Sequence, residues 1–209
     1  MDWYTVYTMP KSTLETLVSS TQGRIFTAAR QLFDQGGVEA VSMRRIAEKV
    51  GITPMAIYKH YPDKDALLNA LMLDGFAAWE TRVEAIQVRE PLVWLDRVNN
   101  AFLDFAITEP RRYEAAFLLR ASRARQYPHD FAAGRSPVVS KMQAQLQAAQ
   151  ADGIICDLPV SEIALTIAAL NQGLVAMYRA GRFAGEEEFR AAYRAATRHC
   201  FRSFLKDAK

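Results

Sequence analysis

Only two cysteines occur in 209 residues, Cys156 and Cys200, and neither sits in a CxxC or Cys/His pair. That argues against a disulfide framework or a zinc module and predicts reduced thiols in a cytoplasmic protein. The first ten residues have no basic start and no unbroken apolar core, so they do not read as a secretion signal. The most apolar stretch, 163–177, is broken by Thr166, Asn171 and Gln172 and reads as too short for a bilayer, so no membrane partner is expected. Prolines and glycines are few and clustered, and strand-type alternation is scarce. What remains is long stretches rich in Ala, Leu, Gln, Glu and Arg, which lose least on entering a helix. The predicted fold class is all-α. Catalytic signatures are missing as well: there is no G-x-S-x-G, no glycine-rich phosphate loop and no H-E-x-x-H. His60, His129 and His199 stand apart from any paired carboxylate. No enzyme activity, metal site or cofactor is expected.

The charge that is present is unevenly placed. Residues 42–64 hold five basic side chains (Arg44, Arg45, Lys49, Lys59, Lys64) against two acidic ones, Glu48 and Asp63. The formal charge of the whole chain is +3, so the remainder sums to zero. A local cationic excess suits a phosphate-binding surface, although scattered surface charge produces the same count.

Helical periodicity surrounds that segment. Ile25, Ala28, Ala29, Leu32 and Phe33 form one apolar stripe, ended by Gly36 and Gly37. Ser12 and Glu15 form a possible capping box for an earlier start, the alternative being a loose arm before about Ser20. Ser42 is a good N-cap for a second helix carrying Met43, Ile46, Ala47 and Val50, closed by Gly51. Thr53 caps a short third helix with Pro54 at its first position. There Ile57 and Tyr61 turn inward, and Pro54, Met55, Tyr58 and Lys59 face out. Pro62 stops it, and Asp63 caps a fourth helix with the stripe Leu67, Leu68, Leu71 and Met72. Two short helices joined by a glycine-containing turn form a helix-turn-helix, whose second helix enters the major groove of DNA. The termini at Ser42, Thr53 and Asp63 can present free N–H groups to phosphates, with Arg44 and Lys64 beside two of them. Arg45 reads as a solvated charge or an intramolecular partner.

From about Arg24 to Leu68 the chain resembles the DNA-binding domain of the tetracycline-repressor-like (TetR) regulators. The resemblance rests on Ala28-Ala29, Leu32-Phe33, Gly37 and the run VSMRRIAEKVGITPMAIYKHYPDKDALL from Val41 to Leu68. Its most specific part is AIYKHYPDKDALL; one small departure is Tyr61, where Phe is commoner. By position, the resemblance implies phosphate contacts from Tyr58, His60 and Lys64 and base contacts from Pro54, Met55, Ala56 and Lys59. It also implies a DNA-binding domain over residues 12–70 and a ligand-binding and dimerisation domain over 71–209. The partners implied are a palindromic double-stranded operator, a small-molecule effector and a second copy of the chain. Repression with release by the effector is the function implied, with activation or ligand-free binding as alternatives.

Beyond residue 73 no motif recurs, and breaks divide the chain into about five further helices. Trp79, Phe102, Phe105, Tyr113, Phe117, Met142 and Met177 are candidates to line an apolar cavity, or simply to form a core. Arg120, Arg123 and Arg125 suit either an anionic ligand or a helix end. The last two helices, 159–179 and 186–206, are apolar over more than one face. A helix apolar all round needs cover on all sides. Ile163, Ile167, Leu170 and Leu174 are therefore expected at a homodimer seam, which resembles that family's four-helix arrangement.

Overall fold

Ser20 opens the first helix: its hydroxyl accepts from the Gly23 N–H at 3.0 Å. From that cap onward a computed structural model describes residues 20–206, the capping box at Ser12 and Glu15 lying outside them. The helices are α1 (Thr21–Ala40), α2 (Met43–Val50), α3 (Pro54–Tyr58), α4 (Lys64–Glu84) and α5 (Pro91–Thr108), followed by α6 (Pro110–Phe117), α7 (His129–Ala132), α8 (Pro137–Ala151), α9 (Val160–Arg179) and α10 (Glu186–Phe204). Among the described residues the fold is all-α. Its one extended pairing is an isolated antiparallel bridge between Ile155 and Leu205. The chain divides into two compact units. One takes the described residues to Ala78 with Pro110–Ala124; the other takes Trp79–Glu109 and the described residues from Arg125 on.

The core of the first unit is the periodic pattern made solid. Ile25, Ala29, Phe33, Ile46, Ile57, Leu67 and Leu71 are buried together. At about 1.5–3 kcal/mol for each large apolar side chain, their burial outweighs the unit's ion pairs, which are only partly exposed and, as surface pairs, give about 0–1 kcal/mol each. Gly36 and Gly37 do not stop α1 outright; they kink it, and one more turn runs to Ala40. Gly37 has φ +65° and ψ −158°, a backbone region that excludes a β-carbon at low cost.

This unit is wider than the 12–70 segment expected to form the DNA-binding domain. Helix α6 and the residues after it, distant in sequence, pack onto α1 and α4. Asp74 of α4 pairs with Arg30 of α1 at 3.7 Å and with Arg112 of α6 at 3.5 Å. Arg111 Nε donates to the Asp34 carbonyl at 3.3 Å. Gly75 of α4 lets the α6 backbone come close, because a β-carbon there would stand 2.7 Å from the Arg112 carbonyl oxygen. Past α6, the Asp65 carboxylate accepts from both the hydroxyl and the amide of Ser122, while Asn69 Oδ1 accepts from the Arg123 amide at 3.0 Å. The Ser122 hydroxyl is the main reason that the Asp65 carboxyl is held below its ordinary range.

In the second unit α5 buries Trp94, Leu95, Val98, Phe102, Leu103 and Phe105. Opposite it stand Val138, Met142 and Leu146 of α8, then Ile163, Ile167 and Val175 of α9, then Phe189 and Tyr193 of α10. Tyr178 stacks on Phe189 with ring centroids 4.3 Å apart, joining α9 to α10. The buried polar residues include Asn99 and Asn171, whose amides meet in a single hydrogen bond of 2.7 Å. A buried polar group left unpaired costs about 1–3 kcal/mol. Helix α9 runs 20 residues and is long and apolar enough, by length and composition, to cross a membrane. The expectation that this stretch falls short of a bilayer is therefore not upheld by its length. One face of it, with Asn171 at its middle, is built into the unit's core.

Candidate nucleic-acid interface

The two short helices are held by side-chain caps placed where the sequence calls for them. Ser42 Oγ accepts from the Arg45 N–H at 3.2 Å, and Thr53 Oγ1 from the Ala56 N–H at 3.3 Å. Gly51 closes α2 in the left-handed region, with φ 74° and ψ 37°, and its N–H bonds the carbonyls of Ala47 and Glu48. Pro54 occupies the first turn of α3, where a missing N–H leaves nothing unsatisfied. Asp63 Oδ1 caps the start of α4 from the Ala66 N–H at 2.7 Å. Each cap contributes about 1 kcal/mol, and together they fix the angle at which α3 leaves the core.

Ile57 anchors α3 from its inner side and is fully buried, with Tyr61 behind it. Burial pushes the Tyr61 phenol up to about 12, so it stays neutral under the helix. The outer side carries the residues expected to meet DNA. Met55 is 72 % exposed and Tyr58 46 %, and Thr53, Pro54, Lys59 and His60 are exposed beside them, with Ala56 half-buried. A thioether this open makes no sense as core filler and is available to touch a base.

Exposed cations stand on α2, just after α3 and at the start of α4. Arg44, Arg45, Lys49, Lys59 and Lys64 are all exposed, and among the described residues none of them enters an ion pair. Two are tethered to backbone instead. Arg45 Nη1 donates to the Ala40 carbonyl at 3.0 Å and Lys64 Nζ to the Val38 carbonyl at 3.1 Å. Both tethers end in the turn that follows Gly37. The tether on Arg45 gives it an intramolecular partner, the second of the two roles its sequence position allows. That on Lys64 had no sequence signal, since no periodicity reports a side chain reaching a carbonyl 26 residues away.

The residues expected to line a cavity fall in both units. Trp79 packs edge-on against Phe102 at 5.4 Å and lies 5.9 Å from Phe105, and Met142 is buried in the same unit. Tyr113 and Phe117 belong to the first unit, their rings 5.2 Å apart. Met177 departs from the expectation: it is 49 % exposed on α9, outside any buried cluster. The expected seam residues divide too. Ile163 and Ile167 are buried in the chain's own core, which removes them from a surface that a second copy would cover, while Leu170 and Leu174 are half-buried. Helix α9 instead exposes Leu165, Thr166, Ala169, Gly173, Ala176 and Met177, a face with no charge between Glu162 and Arg179. Arg125 bonds Glu80 at 3.4 Å, and Arg120 and Arg123 lie on the surface of the first unit.

Residues 25–71 match the family described as bacterial regulatory proteins, tetR family, and residues 95–200 match the tetracyclin repressor-like C-terminal domain. An uncharacterised HTH-type transcriptional regulator of Bacillus subtilis, YobS, is 29 % identical over 102 residues, which cover 48 % of this chain and 53 % of that protein. The HTH-type transcriptional repressor DrrR1 of Streptomyces coeruleorubidus is 36 % identical over 110 residues, 44 % of this chain and 38 % of its own. The chain thus spans about half the length of these relatives, or less. A solved protein of unknown function from Rhodococcus sp. RHA1 shares the fold at a TM-score of 0.70 and 25 % identity, over 90 % of this chain and 97 % of that one.

Proposed function

The chain belongs to the TetR family of bacterial transcription regulators, and we propose that it is a cytoplasmic, ligand-responsive repressor that binds a palindromic operator as a homodimer. The observation that carries this reading is the exposed outer side of α3, with Met55, Tyr58 and Lys59 presented to solvent and exposed cations on the elements before and after it. Sequence is read there by Pro54, Met55, Ala56 and Lys59, while Ser42, Arg44, Thr53, Tyr58, His60 and Lys64 hold phosphates and set the register. DNA binding falls to the first unit, and ligand binding and dimerisation to the second.

A five-residue recognition helix grips too little DNA to act alone. A pair of them, about 34–36 Å apart in successive major grooves, gives adequate affinity and makes the operator palindromic. The uncharged outer face of α9 supports a second copy as the cover for that helix. Helix α4 runs from the first unit into the second and is the natural lever. An effector favouring one of two dimer states then weakens operator binding in proportion to its preference. A relative named as a repressor supports repression over activation. The test is recovery of genomic fragments bound by the full-length protein, followed by footprinting. A protected two-fold site of two half-turn footprints supports the reading; fragments with no shared sequence overturn it.

A further inference from the structure

Asn99 on α5 and Asn171 on α9 are 2 % and 4 % exposed, among the deepest polar side chains of the second unit. Asn171 Nδ2 donates to Asn99 Oδ1 at 2.7 Å, and Tyr193 Oη on α10 donates to the Asn99 backbone carbonyl at 3.1 Å. Two facing carboxamides can exchange two hydrogen bonds, and these exchange one. Asn99 Nδ2, a donor, and Asn171 Oδ1, an acceptor, are left buried and unpartnered. Core packing gives no reason for this pair, because two apolar residues of the same shape would fill the space with nothing left unsatisfied. Their neighbours on α5 and α9, including Leu95, Leu103, Ile167 and Val175, are buried and apolar. No charged side chain among the described residues is buried to that depth.

An open donor and an open acceptor on one amide pair match a group that both accepts and donates. A carboxylate can only accept and leaves the Asn171 oxygen facing negative charge; an ammonium can only donate and meets the Asn99 amide hydrogens. Either ion would also be buried without a counter-charge. We propose that Asn99 and Asn171 form the polar anchor of a small-molecule site whose ligand is uncharged there, its carboxamide or hydroxyl accepting from Asn99 Nδ2 and donating to Asn171 Oδ1. The inference rests on the ligand-responsive reading and narrows the effector to a neutral, amphipathic molecule.

The test is a titration of the full-length protein, 15N-labelled at asparagine side chains, with benzamide, benzyl alcohol, benzoate and benzylammonium, which share one ring and differ in the head group. Benzamide and benzyl alcohol are expected to shift the side-chain signals of Asn99 and Asn171, assigned from Asn99→Leu and Asn171→Leu, and to raise the melting temperature. The two ions are expected to do neither. The double variant Asn99→Leu/Asn171→Leu removes both open groups together and is expected to melt no lower than the wild type and to lose the response. Neutral probes that leave both signals in place, ions that act equally, or a double variant that still responds would each overturn the site. If the double variant does not fold, the wild-type titration decides alone. Operator affinity is measured in parallel: benzamide that shifts the asparagine signals but leaves DNA binding unchanged upholds the site and counts against release by ligand.

Discussion

Lys64 Nζ reaches the Val38 carbonyl at 3.1 Å, so the lysine that caps the cationic face also ties the start of α4 to the turn before α2. The contact is exposed and adds little to stability, but it holds the ammonium at the turn that precedes α2. Lys64→Ala is expected to lower unfolding free energy by about 1 kcal/mol or less, the range of exposed polar contacts. On DNA it should weaken operator and random sequence alike and make the slope of log K against log salt shallower by about 1 per protomer. Titrations at several salt concentrations check this, and a loss confined to the operator would contradict it.

Gly75 tests whether α6 truly belongs against α4. An added β-carbon would stand 2.7 Å from the Arg112 carbonyl oxygen and 2.9 Å from the Ala116 nitrogen, both backbone atoms that cannot swing aside. Gly75→Ala should therefore destabilise the fold by about 1–3 kcal/mol, although alanine is the better helix former. A urea midpoint equal to or above the wild type would show that α6 does not approach α4 as described.

The Asp65–Ser122 link carries a pH signature. The Ser122 hydroxyl, with Asn69 and the Ser122 amide, holds the Asp65 carboxyl below its usual range. A carboxyl lowered in the folded state stabilises the fold above its unfolded value, near pH 4, and that contribution disappears as pH falls through the lowered value. Glu80 works the other way, since burial raises its carboxyl despite Arg125. The informative quantity is thus the difference between wild type and Asp65→Asn. It should be constant from about pH 5 to 7 and shrink on acidification; a difference independent of pH down to about 2 would remove Asp65 from that link.

Helix α9 separates covering by the chain itself from covering by a second copy. Leu165 and Ala169 face outward, and Ile167 faces the core. Leu165→Glu or Ala169→Glu should leave a folded protein that dissociates to monomers, because an unpaired charge in a closed seam costs several kcal/mol. Ile167→Glu should fail to fold at all. Sedimentation and circular dichroism distinguish the two outcomes, and an unchanged dimer in both outer-face variants would place the seam elsewhere.

Local features were the ones legible in sequence. The caps Ser42, Thr53 and Asp63, the closing Gly51 and the inward pair Ile57 and Tyr61 all follow from spacing a few residues long, and all are found. What escaped depends on contacts distant in sequence. Nothing near Ser122 announces that Asp65 and Asn69 lie beside it, so spacing alone does not group Pro110–Ala124 with the first helices. Ile163 and Ile167 read as seam residues because a helix apolar on every side does not reveal which side its own chain covers. Met177 suits a cavity by residue type, which says nothing about the direction its side chain takes. Asn171 reads in sequence only as an interruption of an apolar run, since its partner Asn99 lies 72 residues away.

Competition between operator and random duplex bears most directly on the central claim, that the outer side of α3 reads sequence while the surrounding groups hold phosphate. The same comparison is made for the wild type, Met55→Ala, Lys59→Ala and Lys64→Ala at matched salt. Met55→Ala and Lys59→Ala should each narrow the gap between operator and random DNA by about 1–3 kcal/mol, the worth of one good base contact. Lys64→Ala should lower both affinities and leave the gap unchanged. Three variants with wild-type affinity and an unaltered gap would contradict the account, because the protein would then be binding DNA through some other surface.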